Sequence, residues 1–304
     1  VTTRPHVMRT MLVAVSRRAV QANRRLLTEE PSGADDTSRG YLCAVYSPRG
    51  GSGKTTLATR LAIRLAELMP RRVALVDLDL LLADAALQLD LTPERSLASL
   101  SEDELQHLDP HVLNGCLVEH PSSLRVLVGA TSPEQGERVT GTHVRAALAA
   151  LRRQFLVTVI DAPSTFAEPT LAALETVDQV LMVCTPDLAN LRDVRDCQRI
   201  FRQALHLDSK RVSYVLNRPL PSAGLTRAQF ESALEQPMAL EIRHAGELAS
   251  KQVFARAIDQ LAGELRGRVA AAADTLESMA AVNARRSRFG SNPFARLLRR
   301  AHVG

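Results

Sequence analysis

Residues 49–56 read Arg49-Gly50-Gly51-Ser52-Gly53-Lys54-Thr55-Thr56. An apolar run at 42–46 precedes them, and residues 54–69 carry helical periodicity. A loop between a strand and a helix that wraps polyphosphate must aim successive backbone N–H groups inward. Only glycine adopts that backbone at no steric cost. The N-terminus of the following helix adds partial positive charge. Lys54 is placed to reach β- and γ-phosphates, and the Thr55 hydroxyl is placed to ligate Mg²⁺. Gly50, Gly51, Ser52, Gly53 and Thr56 complete the expected nucleotide-binding set. The pattern GxxxxGK[ST] is broken at its first position, where Pro48 stands. The loop predicts binding of ATP with Mg²⁺.

Working outward, strand-like runs lie at 42–46, 73–77, 124–128, 156–160, 180–184 and 212–216. Helical patterns fall between them at 54–69, 141–153 and 188–205, and a last one covers about 250–284. This alternation predicts an α/β fold, a three-layer P-loop NTPase with a mostly parallel sheet and helices on both faces. Ahead of it, Met8, Leu12, Val15, Ala19, Ala22 and Leu26 recur at helical spacing among arginines. A polar run with Pro31 and Gly33 follows at 29–38 and reads as a linker. We therefore expect a basic amphipathic extension at 1–40, the nucleotide-binding domain at 41–284 and a basic tail at 285–304.

Charge is unevenly placed. The total is +5, with +3 on residues 1–40 and +6 on 285–304, which leaves −4 on the body. Basic ends on a mildly acidic body point to an anionic partner for the ends, not to a uniformly DNA-binding surface. Tryptophan is absent and aromatics are 3%, so stacking on nucleic-acid bases is not the main business. Cys43, Cys116, Cys184 and Cys197 form no CxxC pair, and Cys43 and Cys184 sit inside apolar runs. They read as buried thiols in a reducing cytoplasm. No signal peptide or membrane span is recognised. His107 and His111 have helical spacing, but Pro110 lies between them, so loop histidines are expected over a metal site.

With these residues in view, the segment Arg49–Thr56 resembles the deviant Walker A motif of ParA/MinD ATPases, KGGxGK[ST]T. That resemblance implies an ATP-dependent homodimer in which the first basic residue, here Arg49, reaches the partner's phosphates and acts in catalysis with Lys54. Arginine is a larger, planar substitute for the family's lysine. Asp77-Leu78-Asp79 is similar to the family's second motif, which implies that Asp79 handles the attacking water; a helix cap is the plain alternative. Asp161-Ala162-Pro163 resembles the hhhhDxP segment, so Asp161 would hold Mg²⁺ through water. Asn217 matches the asparagine that meets adenine, although an asparagine before Arg218-Pro219 also suits a turn.

The segments 77–91, 117–127, 160–174 and 183–192 together look like the CpaE/TadZ branch, which serves Tad-type pili and type IVc secretion systems. The match covers roughly 41–218, lacks the branch's receiver-like domain, and fades after Asn217. It implies a slow ATPase acting as a localisation or assembly switch, with pilus or secretion proteins as partners. A MinD-like positioning ATPase, a nucleotide-gated scaffold and a DNA-partitioning ATPase are the alternatives. In the tail, Asn292 suits a helix cap and Pro293 the first turn. Phe294, Leu297, Leu298 and Ala301 then form one face and Arg296, Arg299 and Arg300 the other. That design fits reversible contact with the inner face of the cell membrane, or packing on the protein's own domain.

Overall fold

A computed structural model describes residues 40–218, 224–243 and 247–289, with side chains of the last stretch from 251 to 272. The helix expected near 8–26, the linker at 29–38 and the tail helix at 292–304 lie outside the described residues.

Eight strands form one sheet in the order β3-β4-β2-β5-β1-β6-β7-β8. They are β1 (Tyr41–Tyr46), β2 (Val73–Asp77), β3 (Val118–Glu119), β4 (Arg125–Val128), β5 (Val157–Asp161), β6 (Gln179–Cys184), β7 (Val212–Asn217) and β8 (Met238–Ile242). Only β3 runs antiparallel to its neighbour; the other pairs are parallel. The central strands are mostly apolar because both faces are covered, with Asp77, Thr158, Asp161 and Gln179 as buried polar exceptions. Alternate residues of β1 divide between two cores. Leu42, Ala44 and Tyr46 enter the core on one face, and Cys43 and Val45 enter the core on the other.

On the Cys43 face lie α1 (Lys54–Leu68), the short α2 (Asp84–Gln88) and α10 (Glu247–Phe289). Helix α1 buries Leu57, Ala58, Leu61, Ala62, Leu65 and Ala66, a stripe at three- and four-residue spacing. Helix α10 meets it with Ala257, Ile258, Leu261, Ala262 and Leu265. On the opposite face, four short or medium helices precede the main packing: α3 (Glu102–Gln106), α4 (Pro110–Asn114), α5 (Pro133–Gly136) and α6 (Gly141–Gln154). After β5 come α7 (Glu168–Thr176), α8 (Leu188–Gln203) and α9 (Arg227–Leu234). All four cysteines are free and buried.

Each strand run read from the sequence is present within a residue at either end. Two strands had no strong signal. β3 has two residues, and β8 buries only alternate residues of Met-Ala-Leu-Glu-Ile at the sheet edge. His107 lies in the turn after α3, whereas His111 is in α4 and not in a loop, because the Asp109 carboxylate caps α4 and Pro110 opens it. Among the described residues there is no cluster of three or more His, Cys, Asp or Glu side chains placed to hold a metal ion, and no helix is long and apolar enough to cross a membrane.

Candidate functional site

The connection from β1 to α1 packs on one face of the sheet, and the connection from β5 to β6 through α7 packs on the other. The chain thus departs in two directions at the C-terminal end of β1, the place where open parallel sheets leave a crevice for ligands. Residues 47–53 occupy it. Gly51 and Gly53 have φ of +71° and +91°, the left-handed region that an L side chain avoids. No atom stands within 4 Å of where a Cβ on Gly50 or Gly51 would lie, so the loop is an open cradle. Gly53 caps α1 without a side chain, so the first N–H groups of that helix are left for a ligand. Lys54 and Thr55 are half-buried at the opening turn, and Thr56 is exposed. The loop residues named from the sequence are therefore brought together.

Asp161 ends β5 beside β1 and is almost fully buried. Burial pushes its carboxyl up to about 6, while the Thr55 hydroxyl and then the Lys54 ammonium pull it back, and Asp79 and Asp84 oppose them. Its Oδ1 is buried with no hydrogen-bond partner. An orphaned carboxylate oxygen next to a threonine hydroxyl and the phosphate loop is a hard-oxygen donor set that fits Mg²⁺. Thr55 and Asp161 are the residues that would hold it.

Asp77 is the functional neighbour that sequence reading passed over. It faces Asp161 across the β2–β5 pair and is fully buried. Its Oδ1 accepts the Asp79 N–H at 2.9 Å and its Oδ2 the Ala85 N–H at 3.0 Å. The carboxylate thereby ties both ends of the 79–85 turn to the strand. The available signal was a carboxylate closing an otherwise apolar run. Burial, then the charge of Asp161, lifts Asp77 to about 7, against the two N–H donors. Asp79 is half-exposed, and its Oδ1 accepts the N–H groups of Leu81 and Leu82 at 3.1 and 3.3 Å. It builds a local turn and stands close enough to Asp161 to raise its pKa.

The raised carboxyls have a sign that is open to test. A carboxyl whose folded pKa lies above its unfolded value of about 4 holds more protons folded than unfolded between those pH values. Its contribution is complete below about pH 4 and is lost as pH rises through 6 to 7. Without nucleotide and Mg²⁺, thermal stability should fall from pH 5 to 8, and it should fall less in Asp161→Asn. Calorimetric scans that rise over that interval would reject the assignment.

Arg49 and Asn217 are placed in ways that the sequence did not foretell. The Arg49 guanidinium is held within its own chain, with Nε at 2.8 Å from Asp193 Oδ2 and Nη1 at 3.6 Å from Asp187 Oδ1. Both acids belong to the start of α8; Asp187 also caps that helix by accepting the Asn190 N–H. The Asn217 amide donates Nδ2–H to the Ser52 carbonyl at 2.9 Å. A Cβ on Gly53 would come within 2.6 Å of that nitrogen. Asn217 thus ties the end of β7 to the loop. Its adenine role stays an expectation.

Around this edge, Leu81, Leu82, Leu87 and Leu188 stand with 64–78% of their surface exposed. They lie in the segments that leave β2 and β6.

The profile of the CobQ/CobB/MinD/ParA nucleotide-binding domain matches residues 43–260, from β1 to α10. This chain belongs to that family. Among curated relatives of this MinD/ParA-type domain, an uncharacterised ATP-binding protein of Methanocaldococcus jannaschii is 26% identical over 64% of the chain and 71% of its own length. The antiactivator FleN of Pseudomonas aeruginosa is 28% identical over half of the chain, which spans only 53% of FleN. MinD of Synechocystis is 26% identical over 59% of the chain and 65% of its own length. Among solved structures, MinD of Pyrococcus horikoshii, complexed with Mg-ADP, superposes with a TM-score of 0.62 at 20% identity. That match covers 74% of this chain and 96% of the other. MinD of Pyrococcus furiosus gives 0.62 at 23% identity, over 75% and 99%. The P-loop α/β fold expected from the sequence is the family's fold.

Proposed function

We propose that the protein is a Mg-ATP-dependent ATPase that dimerises around nucleotide and acts as a localisation or assembly switch. One observation carries this reading. An open glycine cradle at a helix N-terminus lies beside a buried carboxylate whose Oδ1 has no partner. Lys54, Gly50, Gly51, Ser52, Gly53 and Thr56 would bind the phosphates. Mg²⁺, held by Thr55 and through water by Asp161, would neutralise charge developing on the β- and γ-oxygens. Asp79 would orient the attacking water, with its carboxylate aimed by the turn that Asp77 anchors. The exposed leucines on the same edge support a second copy meeting the first face to face.

The Tad-pilus assignment rests on the order and spacing of 77–91, 117–127, 160–174 and 183–192, and it makes pilus or secretion proteins the partners. A cytoplasmic protein with peripheral membrane contact through 292–304 fits the basic tail. The body charge of −4 disfavours DNA partitioning. One observation favours a second reading, a nucleotide-gated scaffold with little turnover: Arg49 is already paired in cis.

Asp79→Ala and Asp79→Asn separate the two readings. Asparagine keeps an oxygen for the Leu81 and Leu82 N–H groups, and alanine does not. Both should bind ATP, lose turnover by about a hundredfold and accumulate as a dimer, since the exit step alone is slowed. Sedimentation that finds either variant monomeric under saturating Mg-ATP would count against the dimer and the role of Asp79. A wild-type single-turnover rate no faster than that of either variant would favour the scaffold.

A further inference from the structure

A groove of about 860 Å³ lies between α8, β7 and the end of α9, and the exposed Leu188 is among the residues that line it. One wall is a line of arginines. Arg192, Arg195, Arg199 and Arg202 follow one another at three- and four-residue spacing along one face of α8, and all four are exposed. Arg192 pairs with its neighbour Asp193 and Arg199 with Asp196. The guanidinium groups of Arg195 and Arg202 make no ion pair or hydrogen bond with another described residue. The floor is apolar, formed by Leu207, Val212 and the ring of Tyr214. It is also braced: Gln198 Nε2 donates to Tyr214 Oη at 3.0 Å and to the Leu234 carbonyl at 3.2 Å, which joins all three elements.

We propose that this groove docks an acidic amphipathic segment of a partner protein, with carboxylates along the arginine line and apolar side chains on the floor. The charge pattern selects that occupant. The chain's own ends are basic, +3 and +6, and repel the arginines. A uniform polyanion such as duplex DNA is disfavoured, because Asp196, Asp208 and Glu235 confine favourable charge contact to the arginine line, and DNA has no apolar face to set on Leu207, Val212 and Tyr214. A lipid surface is flat, whereas the arginine line borders a concavity with an apolar floor. An acidic peptide places charge opposite Arg195 and Arg202 and buries its apolar face where DNA has none. The line from Arg192 to Arg202 covers roughly 15 Å at the helical rise, about three turns of a docked helix.

The test uses the full chain and a fluorescein-labelled peptide of about 18 residues, with glutamates on one face and leucines on the next, read by anisotropy at physiological salt. Polyglutamate of equal length, a DNA duplex and phosphatidylglycerol vesicles serve as comparisons. We expect saturable binding of the amphipathic peptide about tenfold tighter than that of polyglutamate or the duplex. In Arg195→Glu/Arg202→Glu it should weaken at least about tenfold, since like charges then meet. Arg195→Lys/Arg202→Lys should retain it, and Mg-ATP affinity should be unchanged in both, showing that they fold. The proposal is overturned if the peptide does not bind, if its binding ignores the charge reversal, or if duplex or vesicles bind more tightly and lose that binding with the same reversal.

Discussion

Lys54→Ala is expected to abolish Mg-ATP binding. Of the loop residues 50–56 it is the only charged one, and it stands at the first helical turn next to a buried acid. Two effects add. The polyphosphate loses an ammonium that would be desolvated with it, and pairs of that kind cost several kcal/mol when one partner is removed. The Asp161 carboxyl also loses one of the groups that hold its pKa down, so a negative or protonated acid is left facing the phosphates without compensation. The backbone N–H groups and the helix dipole remain, and the dipole alone is worth only about 1 kcal/mol. Together these predict a loss of affinity well beyond a hundredfold by titration calorimetry. Lys54→Arg should recover part of it. An affinity for Lys54→Ala within threefold of the parent would refute the phosphate-loop reading.

The second large effect is expected at Arg49. If it acts across a dimer as an arginine finger does, Arg49→Ala should lower turnover by about a thousandfold while monomer affinity for ATP stays within threefold. Arg49→Lys should keep or raise the rate. The ion pairs at 2.8 and 3.6 Å sharpen the prediction, because Arg49 must leave Asp193 and Asp187 before it can reach another chain. Asp193→Asn removes the closer partner and leaves the α8 cap on Asp187 in place. Its turnover should exceed the parent's most clearly at low protein concentration, where the released form is least populated. These pairs are partly exposed, so their hold is modest and the gain should be several-fold. A parent rate that survives Arg49→Ala would place the scaffold reading ahead.

The frame was legible wherever physics acts locally. A buried parallel strand must be largely apolar on both faces, so β1, β2, β5, β6 and β7 announced themselves, and the glycines between β1 and α1 pointed to a phosphate loop. What escaped depends on residues distant in the chain. β8 is an edge strand with a glutamate that meets Arg218, so its alternation was too short to read. Asp193 is unremarkable within α8 until the fold brings it 144 positions back to Arg49. Asn217 had a local reading as a turn residue, but the bond to Ser52 spans 165 positions. Asp77 was visible as a letter and invisible as a brace, because its two N–H donors come from a turn whose path no periodicity encodes.

The buried cysteines bear on how this molecule is best watched at work. Burial lifts the thiols of Cys43 and Cys197 to about 12 and those of Cys116 and Cys184 above their ordinary value. Maleimides react with thiolate at the surface, so the folded chain offers them almost none. A cysteine placed at Leu81 or Leu188 would therefore take a reporter dye against a silent wild-type background, without first stripping four residues from two cores. The same silence makes the native thiols a clock for opening. Cys43 and Cys184 enter opposite layers, and their relative labelling rates would tell which side of the sheet parts first.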